Sequence, residues 1–338
     1  DFRMPPLSRP LALLLFVLPC SAAAPTPVVS FAVVSDIHYA NAPAIGTRYY
    51  NNSLDKLEEA LTFFNSSAPE GAPASFIVEL GDFKDCNVKD ERDLTTEGYL
   101  RTVEALYDSF VSPHFHVLGN HDFDTLNATE LLDLITSTGV AQGARFYSLV
   151  VKSAGLRLIT LDADFHHNAS SGTYVEYNHE DNSHNPFKWT DAWVPPNQLT
   201  WLETQLEAAA ADGQKVVVLT HQRLDGCNGH NTSAFCAWVD DCTITNAPTV
   251  RSILERTNAT VLAALSGHDH TGALSPQTIN GVFYYTVHGM IEGEYPGSNA
   301  YAAIDVLSDC TVVVVDQTRG QLNNTASKST PPPGCSLP

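Results

Sequence analysis

Basic residues are scarce: 18 Lys+Arg stand against 38 Asp+Glu in 338 residues, a formal charge of −20. A surface so short of cations repels phosphate backbones and anionic bilayers, which argues against nucleic-acid binding. No repeat of 20–50 residues is visible, which argues against a solenoid or propeller. Low complexity is confined to Ser329-Thr330-Pro331-Pro332-Pro333. No C-x-x-C pair occurs among Cys227, Cys236 and Cys242, so a zinc knuckle is not expected. The longest early apolar run, Leu11 to Leu18, falls far short of the roughly 20 residues that span a bilayer, so no membrane span is expected. What is present is a 43% hydrophobic composition, ample for a core.

Arg3 and Arg9, the apolar run and the small residues Ala22 and Ala24 together read as a signal peptide over 1–24. Export fits the six cysteines that remain: Cys86, Cys227, Cys236, Cys242, Cys310 and Cys335. An even count in an exported chain predicts three disulfides, and Cys310 with Cys335 would pin the C-terminal tail. Glycosylation sequons start at Asn51, Asn65, Asn127, Asn168, Asn231, Asn258 and Asn323. A single catalytic domain is expected over 25–320, followed by a Pro-rich tail over 321–338.

Short β-rich runs alternate with helical periods. Strands are expected at 30–34, 76–80, 114–118, 216–220 and 261–266, with a hairpin at 146–161 around Gly155 and further strands over 282–287, 301–307 and 311–315. Helices are expected at 53–64 with Ser53 as N-cap, at 95–110, at 129–138 and at 197–212. This order predicts an α/β domain of two packed sheets flanked by helices. The polar stretches 163–195 and 222–246 are longer than ordinary loops, a feature of functional segments.

One residue set recurs directly after predicted strands. Asp36-Ile37-His38 follows Val34, and Gly81-Asp82-Phe83-Lys84-Asp85 follows Leu80. Gly119-Asn120-His121-Asp122 follows Leu118, His221 follows Thr220, and Gly267-His268-Asp269-His270 follows Ser266. Ligands bind outside the carboxyl ends of strands in α/β sheets, so five strand ends bearing Asp, His and Asn converge on one site. These side chains suit borderline divalent metals such as Mn, Fe and Zn. They are too many for one four-coordinate ion and enough for two ions sharing a carboxylate, an arrangement that clamps a phosphate for in-line attack. The glycines before Asp82, Asn120 and His268 are expected to turn the backbone sharply beside the ions. His114, His116, His166, His167, His179, His184, His230 and His288 lack this setting and read as surface or structural residues.

The order D-x-H, G-D-x-x-D, G-N-H-D, H, G-H-x-H resembles the calcineurin-like metallophosphoesterases. That resemblance implies a four-layer α/β/β/α sandwich of two mixed sheets. It also implies one metal held by Asp36, His38, Asp82 and His270, and a second by Asp82, Asn120, His221 and His268. Metal-bound hydroxide would attack phosphorus, and His121, oriented by Asp85, would protonate the leaving group. Asp85 stands where purple acid phosphatases carry Tyr, which disfavours an iron-tyrosinate centre and leaves Mn, Zn, Fe or Mg, with Mn expected first. Within the superfamily the chain resembles the manganese-dependent ADP-ribose/CDP-alcohol diphosphatases. The matching segments are Gly46-Thr47-Arg48-Tyr49-Tyr50, Leu161-Asp162-Ala163, Gln198 to Leu202, Cys236-Ala237-Trp238 and Gly289-Met290-Ile291-Glu292. His38, where that group carries Gln, is a departure. The expected activity is hydrolysis of a phosphoanhydride in a small nucleotide-diphosphate-type molecule, with Arg48, Tyr49 and Tyr50 as the nucleotide-binding rim. A broad phosphomonoesterase or phosphodiesterase is the alternative, and a non-catalytic metal-stabilised binding module a third.

Overall fold

In the computed structural model, residues 24–66, 74–86, 95–177, 188–227, 234–319 and 326–338 are described. Three strands, β1 (Pro27–Val34), β2 (Ile77–Glu79) and β3 (His114–His116), run parallel, separated by α1 (Ser53–Ser66) and α2 (Thr95–Tyr107). After α3 (Ala128–Leu134) comes the hairpin β4 (Ser148–Val151) and β5 (Leu156–Thr160). A small polar hairpin, β6 (Phe165–Asn168) with β7 (Thr173–Glu176), precedes α4 (Pro196–Ala211) and β8 (Lys215–Leu219). Then follow α5 (Ala234–Asp241), α6 (Ala247–Arg256), β9 (Thr260–Ser266), β10 (Gln277–Ile279) and β11 (Val282–Thr286). The chain closes with β12 (Ala302–Leu307), β13 (Val312–Asp316) and β14 (Ala326–Lys328).

Two six-stranded mixed sheets result, ordered β14-β13-β12-β1-β2-β3 and β10-β11-β9-β8-β5-β4. Strand alternation explains the layering. Val33, Val78, Val217 and Leu219 enter the core between the sheets. Their neighbours Val34 and Ile77 pack outward on Leu57, Leu61, Leu100 and Val103 of α1 and α2. On the second sheet Val216 and Val218 pack outward on Leu202 and Leu206 of α4 and Val250 and Leu254 of α6. Both faces of each central strand are therefore buried, which is why these strands read as unbroken apolar runs. This is the expected α/β/β/α sandwich. Among the described residues no helix is long and apolar enough to cross a membrane.

Several expectations change. Ser53 does not cap α1: a 3-10 turn at Tyr50–Asn52 runs into the helix, so Ser53 is already helical and its hydroxyl is buried without a partner. α3 is shorter than expected and is fixed by Asn127, whose side chain accepts the Glu130 N–H. Two disulfides form among the described residues, Cys227–Cys236 and Cys310–Cys335, rather than three. Cys86 and Cys242 are free, and burial pushes both thiols upward. Residues 326–328, expected as tail, pair antiparallel with β13, and Cys335 anchors the end beneath them.

Candidate metal centre and substrate cavity

The carboxyl ends of β1, β2, β3, β8 and β9 meet at one end of the sandwich. Four of the expected ligands there have left-handed backbones: Asp36 (φ 54°), His38 (48°), Asp82 (61°) and His268 (65°). This conformation costs L-residues roughly 1–2 kcal/mol each and is concentrated at functional sites. Gly81 is itself left-handed (φ 100°), and a Cβ there would stand 2.6 Å from the His221 ring. Gly119 and Gly267 have no such backbone need. They are glycines for space: a Cβ would lie 2.5 Å from Asp82 Oδ1 in the first case and overlap the Ser35 hydroxyl in the second.

The donors form two groups, Asp36 with His38 and His270, and Asp82 with His221 and His268. His270 Nε2 lies 3.3 Å from Asp36 Oδ1, and His221 Nε2 lies 3.0 Å from Asp82 Oδ2. Asp82 Oδ2 also lies 3.5 Å from His38 Nε2, so this one oxygen faces both groups. Its other oxygen accepts the His121 N–H at 2.7 Å. Three imidazoles are held from behind through Nδ1: His38 by Asp85 (3.1 Å), His221 by the Leu80 carbonyl (2.8 Å) and His270 by Glu292 (2.7 Å). Their Nε2 atoms are thereby aimed inward, as ligands require. Imidazole nitrogens confront each other twice, His38 against His270 at 3.2 Å and His221 against His268 at 3.1 Å. Asn120 Oδ1 and His268 Nε2 are buried without partners.

The electrostatics fit cations. Burial alone would raise the Asp36 and Asp82 carboxyls, yet the surrounding histidines hold both well below the usual range. Against its own burial, Asp82 raises His221 well above a free imidazole. Burial and then His221 press His268 down to about 3. Protons thus balance a cluster of carboxylates that divalent ions would balance more fully. The donor set fits two such ions.

His121 stands at the rim. The motif gives Asp85 as its orienting group, but Asp85 bonds His38, and its nearer oxygen is 3.7 Å from His121 Nδ1. Asp124 holds that nitrogen at 2.7 Å instead. Burial opposes protonation, but Asp124, Asp85 and Asp82 lift His121 to about 10. Asp122 is a second residue whose role the motif does not reveal. Its buried carboxylate accepts the N–H groups of Gly119 (2.8 Å), Asp82 (3.0 Å) and Phe83 (2.9 Å), locking two ligand loops together.

A cavity of about 1020 Å³ opens above the ligands. Arg48 lines it, whereas Tyr49 and Tyr50 do not. The Tyr49 N–H is tied to the Ile291 carbonyl, and Tyr50 is buried with Ala40, Ala42, Tyr99 and Ile291. Tyr50 is a core residue because the 3-10 turn rotates it inward. The aromatic rim comes from Trp189 and Trp238, with ring centroids 5.4 Å apart and side chains 42% and 44% exposed. Trp238 lies in one of the diphosphatase-like segments, and the sequence signals Trp189 only as a large aromatic in a polar loop. His166 pairs with Asp191 and His167 stacks on Trp193. His179, His184 and His230 lie outside the described residues. Lys56 of α1 is buried and donates to the carbonyls of Met290 (2.8 Å), Glu292 (3.0 Å) and Gly293 (2.6 Å). It thereby holds the loop that presents Glu292 to His270.

A family model described as calcineurin-like phosphoesterase matches residues 29–272. A manganese-dependent ADP-ribose/CDP-alcohol diphosphatase of Oryza sativa subsp. japonica is 26% identical over 87% of this chain and 92% of its own. The protein of the same name from Arabidopsis thaliana is 26% identical over 84% and 93% respectively. Among solved structures, a dimetal phosphatase from Danio rerio superposes with a TM-score of 0.68 at 23% identity, covering 90% of this chain and all of the other.

Proposed function

The chain belongs to the calcineurin-like phosphoesterase family, and from that premise we propose that it hydrolyses the phosphoanhydride of nucleotide-diphosphate-type substrates such as ADP-ribose or a CDP-alcohol. Asp36, His38, Asp82 and His270 would hold one divalent ion, and Asp82, Asn120, His221 and His268 a second, manganese being favoured by the relatives' names. Bound there, such ions supply Lewis-acid polarisation of the phosphoryl oxygens and a water acidic enough to attack at neutral pH. The remaining work falls to the protein. His121, fixed through Nδ1 by Asp124, delivers a proton to the departing oxygen. Arg48, 3.9 Å from Glu292 at the cavity wall, offers charge to the second phosphate.

The observation that carries the substrate class is the exposed Trp189–Trp238 pair beside His268. A base stacked there would place a diphosphate over the ligands, and binding energy remote from phosphorus would serve orientation. A monoester without a base gains nothing from that pair. The test is kcat/KM with one metal for ADP-ribose and CDP-choline against AMP and p-nitrophenyl phosphate, in wild type and Trp238→Ala. The wild type should prefer the diphosphates. The variant should lose roughly 5–150-fold on nucleotides, as expected for about 1–3 kcal/mol of stacking, and little on p-nitrophenyl phosphate. Higher efficiency on the monoesters would overturn the diphosphatase reading and favour the phosphomonoesterase.

The same reading includes export. It is supported by the two disulfides and by the exposed sequon residues Asn51, Asn168 and Asn258. Asn65, Asn127 and Asn168 accept backbone N–H groups, and Asn231 and Asn323 lie outside the described residues. A mature N-terminus at Pro25 in protein recovered from culture medium would agree; retention in the cell would not.

A further inference from the structure

β3 places His114 and His116 on the face opposite Phe115, which enters the core between the sheets. The two histidines therefore face α2 and meet Glu104. All three are buried, at 8%, 2% and 8% exposure, and none lines the large cavity. One ligating atom from each lies within 4.8 Å of the others. Glu104 Oε2 is committed to the Thr136 N–H at 3.1 Å, which leaves Oε1 pointing inward. That oxygen is 3.0 Å from His116 Nε2, yet the two are not aligned as a hydrogen bond. Glu104 Oε1, His116 Nε2 and His114 Nε2 are all buried without hydrogen-bond partners.

Each unsatisfied buried polar atom costs about 1–3 kcal/mol, so three in one buried cluster require an explanation. A proton accounts for part of it. Against its burial, Glu104 and Glu79 raise His116 to about 10, so an imidazolium would answer both carboxylates. It would leave His114 Nε2 with nothing. A cation held among the three side chains would satisfy these atoms and would replace the proton on His116.

We propose that Glu104, His114 and His116 hold a further divalent cation of the zinc class, separate from the hydrolytic centre. Two imidazoles and one carboxylate are a borderline donor set that favours zinc over manganese, with water as a fourth ligand. The ion ties α2 to β3. It also bears on the catalytic end of the sheet, because Glu79, 3.6 Å from His116, accepts the Gly81 N–H one residue before Asp82.

The test is metal content by mass spectrometry after chelation, reloading with zinc and desalting. Wild type should hold one zinc more per chain than His114→Gln or Glu104→Gln. Asp82→Asn should retain the buried ion, and zinc should raise its Tm, whereas zinc should not raise the Tm of the Asp82→Asn, His114→Gln double variant. Equal zinc content in wild type and His114→Gln would overturn the proposal. Should His114→Gln fail to fold, the wild-type crystal decides. A zinc-edge anomalous peak bounded by Glu104, His114 and His116 supports the site, and density without anomalous signal there refutes it.

Discussion

Three carbonyls of the 290–293 loop converge on the buried ammonium group of Lys56. Replacing Lys56 by Met keeps most of the volume and removes every donor. Each orphaned carbonyl would cost about 1–3 kcal/mol if nothing moved. Relaxation of the loop toward water reduces the total, and removing a buried charge returns some desolvation energy. Burial draws the amine down to about 8, so that desolvation is real. The expected net loss is about 3–5 kcal/mol, the scale of breaking a buried charged set. A second effect follows from connectivity. The freed loop carries Glu292, which holds His270 Nδ1 at 2.7 Å, so metal affinity should fall about 10–100-fold. Urea unfolding of metal-free protein measures the first effect, and manganese titration followed by activity measures the second. A Lys56→Met chain within about 1 kcal/mol of wild type, binding manganese equally well, would refute both the anchoring role and the link to His270.

Asp82→Asn should lose nearly all turnover and lower the occupancy of both ions together, since one of its oxygens faces both donor groups; metal analysis showing two full sites would contradict the bridge. His121→Ala should keep its metals and slow turnover by about 10²–10⁴-fold, with a smaller loss for substrates whose leaving groups need no proton. An equal loss across leaving groups of very different pKa would remove the proton-donor role. Burial raises the Glu292 carboxyl, but hydrogen bonds from His270 and Thr47 and the nearby charges lower it from 4.5 to about 2. A carboxyl depressed on folding contributes stability above its unfolded value and loses it as pH falls through the folded one. Wild type should therefore lose more stability than Glu292→Gln between about pH 4.5 and 2; parallel urea midpoints across that window would show that the pair contributes nothing.

The proposed metal ligands can be picked out in the sequence because each sits within a few residues of a strand end, where sequence order and spatial position coincide. The layers are legible for the same reason, since central strands buried on both faces stand out as apolar runs. Asp124 and Glu292 are not legible as orienting residues, because a carboxylate's partner is set by side-chain direction and not by spacing. Tyr50 is misplaced by the sequence reading because three consecutive rim candidates cannot all face one cavity, and the 3-10 turn decides which does. β10 and β14 have three residues each, too few to show a period of two. α6 begins at Ala247-Pro248 directly after a cysteine-bearing stretch that reads as loop, and its first turn hides in that composition. His114 and His116 alternate with Phe115 as any amphipathic strand would, and only the packing of α2 brings Glu104 against them.

The two sheets contribute unequally to the proposed metal centre. Asp36, His38, Asp82 and Asn120 follow strands of the first, while His221, His268 and His270 follow strands of the second. Neither sheet alone holds a complete proposed donor set, and the proposed ligands span residues 36 to 270. During synthesis, then, neither proposed hydrolytic ion could meet its full donor set until the chain beyond residue 270 has left the ribosome and the sheets have docked. Uptake of the hydrolytic ions would then report on finished tertiary structure, and an apo chain stalled with separated sheets would expose these imidazoles without being able to use them. The order of events, fold first and hydrolytic metals afterwards, is written into the division of the proposed ligands between two halves that must meet.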